Sequence, residues 1–286
     1  MGPGDPVGIA TWNYHEGTLA DRIRRFAAMG FDAVSLSPGD ASALCGGLTP
    51  DVEEEILSRG LAVTIHGAFT PGGNTTPDEV LLAEFQSYVG WHARTGLLYS
   101  VNYDAAGLCG ADGEWEYDAR TMRRVLRQML SASNGSGVSV GVEDWPRTRD
   151  QLESVADLRA YPHFGILIDL GHLNLRVREG GPPGDDFPLK AARGYLDAVD
   201  LPINEVHVHN NDGVRDRHAP PTRGTADLAA LAGILRRKGA HCVSTVEIVP
   251  AWCDLSEEQG VEAAREALDF WRTACAPAAS GGPKVE

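Results

Sequence analysis

The sequence predicts an α/β chain folded as a single (β/α)8 TIM barrel, and three observations carry that expectation. Eight short apolar runs alternate with eight amphipathic stretches. The length of 286 residues is close to the ~250 usual for such a barrel. No Gly-rich turn follows the first apolar run, where a doubly wound open sheet would carry one, and no linker divides the chain. Residues 1–275 are therefore expected to form the barrel, and the small, polar residues 276–286 a flexible tail.

The elements read in order as follows. "VGIATWN" (7–13) is the first strand. "TLADRIRRFAAMG" follows as a helix that Thr18 can cap and Gly30 can end. "FDAVSLSP" (31–38) is the second strand, and "TPDVEEEILSRG" has the Thr, Pro and acids of a helix start and the Gly of a helix stop. "LAVTIHGAF" (61–69) and "LYSVNYDA" (98–105) are the third and fourth strands, with helices expected over 77–95 and 117–133. "VSVGVED" (138–144) and "FGILIDLGH" (164–172) are the fifth and sixth, separated by a helix over 147–158. "NEVHVHNN" (204–211) and "HCVSTVEIVP" (241–250) are the last two, with helices over 187–199, 226–238 and 256–273. The strand runs are rich in Val and Ile, as strands covered on both faces should be.

Composition narrows the function. The net charge is −15, from 40 acids against 25 bases, which disfavours a nucleic-acid partner because that needs a basic footprint. The five cysteines are scattered and form no Cys-x-x-Cys pair, so they read as reduced thiols of a cytoplasmic protein. No secretory signal is visible and no apolar run approaches the ~18 residues of a membrane span. A small-molecule substrate is the expected partner, and a homo-oligomer is compatible with the composition.

Glu143, Asp169, His209 and Glu247 stand at the ends of the fifth to eighth strands, one ligand-type residue per βα unit. In a barrel those ends lie side by side on one face. Three carboxylates converging there would repel one another unless a proton or a divalent cation intervened. Oxygen-rich ligation with one imidazole suits Mn2+ foremost, and also Mg2+, Co2+ or Zn2+. Strand alternation places Glu205, His207 and His209 on one face and Thr245 and Glu247 on another inward face. His207, one layer below His209, is expected to be a core histidine, and Asp212 a turn former. The loop "VHVHNNDGVRDRHAPPTRG" also sets Asp216 and His218 two apart, on the same side of an extended segment.

"VEDWP", "DLGH", "HVHNNDGVRDRH…RG" and "VEI", in this order, resemble the xylose-isomerase-like TIM barrels of the sugar phosphate isomerase/epimerase superfamily, which also holds the endonuclease IV type of DNA repair enzyme. The resemblance runs over about residues 7 to 273 and implies a central metal held by Glu143, Asp169, His209 and Glu247. It implies that His172 binds substrate, as in the ketose epimerases, or joins Asp216 and His218 in a further metal site, as in the endonucleases. His66 matches a third-strand histidine of the endonucleases. Their fourth-strand histidine is absent, since that run holds Asn102, Tyr103 and Asp104. Arg215 falls where the epimerases keep a substrate-binding arginine.

The expected activity is a divalent-metal-dependent isomerisation or epimerisation of a ketose-like sugar or polyol through an enediolate, with Glu143 and Glu247 as the acid/base pair. Trp12, Tyr103, Trp145, Arg215 and Trp252 are the expected substrate contacts. Two alternatives keep the fold: a metal-dependent dehydratase, and a two-metal phosphodiesterase in which His66, His172, Asp216 and His218 hold a second ion.

Overall fold

The computed structural model describes residues 4–68, 77–104, 108–109, 115–116, 119–143, 155–178 and 187–276. Eight parallel strands close into a barrel: β1 (Val7–Ala10), β2 (Ala33–Leu36), β3 (Ala62–Ala68), β4 (Leu98–Asp104), β5 (Ser139–Glu143), β6 (Phe164–Asp169), β7 (Ile203–Val208) and β8 (Val243–Val246). Each pairs with its sequence neighbour, and β1 pairs with β8 to remove the free edge. A two-stranded antiparallel ribbon, Leu108–Cys109 with Trp115–Glu116, lies after β4.

Nine α-helices stand among the described residues: α1 (Leu19–Met29), α2 (Pro38–Cys45), α3 (Pro50–Arg59), α4 (Asp78–Thr95), α5 (Ala119–Ala132), α6 (Leu170–Arg178), α7 (Phe187–Ala198), α8 (Leu228–Arg237) and α9 (Glu257–Cys275). Local chemistry sets their ends. The Thr18 hydroxyl accepts from the Asp21 N–H at 3.1 Å while Asp21 accepts from the Thr18 N–H at 3.1 Å, a reciprocal cap. Gly30 then closes α1 at φ 103. Ser256 and Gln259 cap α9 in the same way. Among the described residues no helix is long and apolar enough to cross a membrane.

Strict alternation fails for the helices. Both α2 and α3 follow β2, and both α6 and α7 follow β6. Pro38, expected to end the second strand, instead opens α2: Ser37 accepts from the Asp40 N–H at 3.3 Å and Pro38 sits at the first helical position, where its missing N–H costs nothing. Residues 170–172, expected to extend β6, instead open α6, because the Asp169 carboxylate accepts the His172 N–H at 2.8 Å. Of the helix expected over 147–158, residues 147–154 lie outside the described residues, and Ala156–Ala160 forms a short 3-10 turn. Residues 277–286 of the expected tail also lie outside them.

The apolar core lies between sheet and helices and includes Phe26, Phe85, Trp91, Val206, Val208 and Trp271. The barrel interior is polar instead. Asp169 pairs in register with His207 and His207 with Thr245, so β6, β7 and β8 bring ligand-type side chains to one level.

Candidate metal centre

Asp169 is fully buried at the end of β6 and collects the histidines of β7. His209 Nε2 lies 2.8 Å from Asp169 Oδ1, and His207 Nδ1 lies 3.6 Å from Oδ2. Glu143, the last residue of β5, holds two further rings: His172 Nδ1 is 2.9 Å from its Oε1 and His66 Nε2 is 3.3 Å from its Oε2. Glu247, just past β8, is 2.8 Å from His207 Nδ1 and 3.6 Å from His218 Nδ1. Three acids thus share a site with five histidines, all placed by strand ends and the segments that follow them.

The segment after β7 folds back over the mouth. Asn210 and Ala219 exchange two backbone hydrogen bonds of 2.8 Å, closing the loop between them. Asp212 accepts from the N–H groups of Val214 and Arg215 at 2.8 Å, the turn role expected of it. Asp216 then reaches His172 Nε2 at 3.0 Å and His218 Nε2 at 3.2 Å. His218 adopts φ 43, in the left-handed region that non-glycine residues seldom enter. That backbone lays its ring flat on His209, with centroids 3.8 Å apart and planes 7° apart. Its Nδ1 donates to the Glu247 carbonyl at 3.0 Å, which turns Nε2 towards Asp216.

Electrostatics tie these groups together. Burial alone would raise the Asp169 carboxyl, but His172 and His209 outweigh it and hold it well below the usual range. Glu247 is likewise brought down to about 2, because His207 and His218 overcome its burial. His172 and His207 rise well above an ordinary histidine: burial opposes their charge, and the surrounding carboxylates, led by Asp169 and Glu247 respectively, override it. His218 rises to about 9 for the same reason, with Glu247 the leading carboxylate.

A family model described as a xylose isomerase-like TIM barrel matches residues 23–274. The chain belongs to that family. Solved structures with the same fold include the apo form of 3-keto-D-glucoside 4-epimerase from E. coli, at 19% identity and TM-score 0.65 over 94% of this chain and 99% of that one. A D-tagatose 3-epimerase-like protein aligns at 16% identity and TM-score 0.63 over 94% and 98%. A xylose isomerase-like TIM barrel protein from Mycobacterium smegmatis, in complex with magnesium, aligns at 16% and 0.64 over 96% and 99%. A sequence comparison with curated proteins gives no match.

For a member of this family, the donor set fits a divalent cation. Ligand-type atoms of Glu143, Asp169 and His172 lie within 4.8 Å of one another, as do those of Asp169, His207 and Glu247 and those of His172, His209, Asp216 and His218. Among the described residues of this site, the buried His66 Nδ1, His209 Nδ1, both ring nitrogens of His207 and the buried Asp216 Oδ1 have no hydrogen-bond partner. An orphaned carboxylate oxygen among histidines is costly unless something positive meets it.

The sequence-expected residues fare differently. Glu143, Asp169, His209, Glu247, His66, His172, Asp216 and His218 all come together. His207, expected as a core histidine, is buried and also touches Glu247. Trp12 stacks on His66 with centroids 5.8 Å apart, and Trp252, 53% exposed, sets its edge against His218 at 5.2 Å. Arg215 is exposed on the loop. Trp145 lies outside the described residues. Tyr103 does not line the site: it alternates with the inward Asn102 and belongs to the apolar core outside the barrel, where its ring leaves no room for a Cβ at Gly67.

Sequence reasoning missed the asparagines that hold the loop. Asn211 Nδ2 donates to the Gly171 carbonyl at 2.8 Å, and its Oδ1 accepts from Asn174 at 2.7 Å. Asn210 Nδ2 donates to the Pro221 and Ala226 carbonyls at 2.9 and 3.1 Å. The Asn-Asn pair directly after His209 was the available signal, since such side chains bond to nearby backbone.

Proposed function

We propose that the protein is a divalent-metal-dependent epimerase or isomerase of a ketose-like sugar or polyol, with Glu143 and Glu247 exchanging the proton. The observation that carries this reading is the symmetry about Asp169. On one side Glu143 is held by His66 and His172, and on the other Glu247 is held by His207 and His218. Two carboxylates fixed on either side of one centre suit removal of a proton from one face of a carbon and its return to the other. Glu143, Asp169, His209 and Glu247 would hold the cation, which when bound supplies Lewis-acid polarisation of a carbonyl and its neighbouring hydroxyl. Mn2+ suits this oxygen-rich set, with Mg2+, Co2+ and Zn2+ also compatible. Trp12 and Trp252 stand at the mouth, where they can cover the apolar C–H face of a sugar and keep water from the exchanged proton. Two relatives in fold are named as sugar epimerases or epimerase-like and a third holds magnesium, which supports the same reading.

A second reading, a two-metal hydrolase, is favoured by the close grouping of His172, His209, Asp216 and His218. Against it, the fourth-strand position that would complete a larger cluster is Asn102, whose amide is committed to Glu205 at 2.7 Å. Metal content and deuterium wash-in from D2O separate the two. The proposal expects metal-dependent incorporation of one solvent deuterium into a ketose, lost in Glu143→Gln. Phosphodiester cleavage with two tightly bound ions per chain and no wash-in would replace it with the hydrolase.

A further inference from the structure

The interior layer beneath the metal centre contains a carboxylate that the proposed reaction does not use. Glu205 is 1% exposed on β7, facing the same way as His207. Barrel interiors are usually filled with branched apolar side chains, and an ion there is costly unless fully paired. Here the chain supplies partners from three other strands. Thr64 Oγ1 of β3 donates to Glu205 Oε1 at 2.9 Å, and Thr245 Oγ1 of β8 donates to the same oxygen at 2.6 Å. Ser100 Oγ and Asn102 Nδ2 of β4 donate to Oε2 at 2.9 and 2.7 Å. All four donors are neutral, so none of them balances the charge.

The His207 ring lies directly against this carboxylate. His207 Nε2 lies 3.7 Å from Glu205 Oε1, an ion-pair contact rather than a hydrogen bond. The other nitrogen of the same ring is 2.8 Å from Glu247 Oε2, again a close contact without hydrogen-bond geometry. One imidazole therefore spans a fixed carboxylate below and a site carboxylate above. We propose that Glu205 is a positioning residue that acts through His207 to hold the Glu247 carboxylate in place for the metal centre. This inference rests on the metal reading given above. The four donors fix Glu205, Glu205 fixes the tilt of the His207 ring, and the ring fixes Glu247. Outer partners of this kind orient the groups that bind a metal. Their own exposure is nil, so solvent does not screen the chain of contacts.

The test uses the full-length protein and Mn2+ alone as the probe, with Kd and Tm measured together. Glu205→Gln and His207→Gln are each expected to raise the Kd for Mn2+ by about 10–100-fold. Because both act along one path, the double variant is expected to stay within about threefold of the weaker single. Thr64→Val with Ser100→Ala removes one donor from each carboxylate oxygen and leaves Thr245 and Asn102 to hold Glu205 in place; it is expected to lower Tm and leave Kd within about threefold of the wild type. A carboxylate that only tied the strands together would lower Tm in every variant without this separation in Kd. Should Glu205→Gln fail to fold, Glu205→Asp keeps the charge but draws it away from His207, and about tenfold weaker Mn2+ binding is expected. The inference is overturned if a folded Glu205 variant binds Mn2+ like the wild type, or if the Glu205 and His207 losses multiply. A wild-type protein that binds no Mn2+ sinks the metal reading and this inference together; a binding wild type with an unaffected Glu205 variant sinks the inference alone.

Discussion

Gly171→Ala should damage the site far more than the fold. Gly171 is the second residue of α6, and a Cβ built there would lie 1.9 Å from His209 Cε1, 2.3 Å from Nδ1 and 2.6 Å from Nε2. Carbon atoms in contact sit ~3.5 Å apart or more, so the imidazole must move by about 1.5 Å or the helix start must lift by as much. The ring has nowhere to retreat: it is fully buried, His218 stacks on it at 3.8 Å, and its Nε2 is 2.8 Å from Asp169. Two terms of opposite sign act on stability. Replacing a helical glycine gains up to ~1 kcal/mol, and overpacking a filled site costs ~1–3 kcal/mol. The net loss should not exceed about 3 kcal/mol, or roughly 6–12 °C in Tm for a chain of this size. A displacement of that length at the site, by contrast, should cost about 100-fold in turnover. Deuterium wash-in with calorimetric Mn2+ titration reads the damage to the site, and a thermal melt of the same sample reads the damage to the fold. Wild-type Mn2+ affinity in the alanine variant, with the melt little changed, would refute the placement of His209 at the centre.

Other consequences can be checked directly. Glu143→Gln and Asp169→Asn should each lose metal and turnover together, read by elemental analysis and deuterium wash-in on the same preparations. The metal-free protein should be most stable in mildly acidic solution, between about pH 4.3 and 6.5. His218 is raised to about 9, so its contribution is full below the ordinary histidine value of ~6.5 and is lost as pH rises through 9; Glu247 is lowered to about 2, so its contribution is full above the ordinary carboxylate value of ~4.3 and is lost as pH falls towards 2. A Tm that climbed steadily from pH 7 to 10 would contradict this pairing. Asn211→Ala removes the side-chain bonds to the Gly171 carbonyl, the Asn174 amide and the Gly213 N–H and should cost about 1–3 kcal/mol, seen as earlier proteolysis between Asp212 and Arg223.

The fold was legible because strand identity rests on short Val- and Ile-rich runs, and all eight were placed. The helices were less so. The start of α2 was hidden because Pro38 was read as the end of the second strand, and only the Ser37 cap shows that a helix begins there. The end of β6 was overrun because Leu170–Gly171–His172 continues an apolar run, and only the Asp169 side chain, by capping α6, ends the strand. In the site, the convergence of Glu143, Asp169, His209 and Glu247 and the pairing of Asp216 with His218 followed from alternation and spacing. Tyr103 was misread because an aromatic near a strand end was credited without its parity: Asn102 faces inward, so Tyr103 cannot. The roles of Glu205 and the asparagines were not legible, because they depend on partners far away in sequence, such as Thr64 and Ser100, whose hydroxyls look ordinary until the barrel closes.

The most direct test of the metal centre is an anomalous-scattering map from crystals soaked in Mn2+. The account predicts a peak enclosed by Glu143, Asp169, His209 and Glu247, with His207 beneath it and in contact with Glu247. A map with no peak at that point, or with density only between His172, Asp216 and His218, would contradict it.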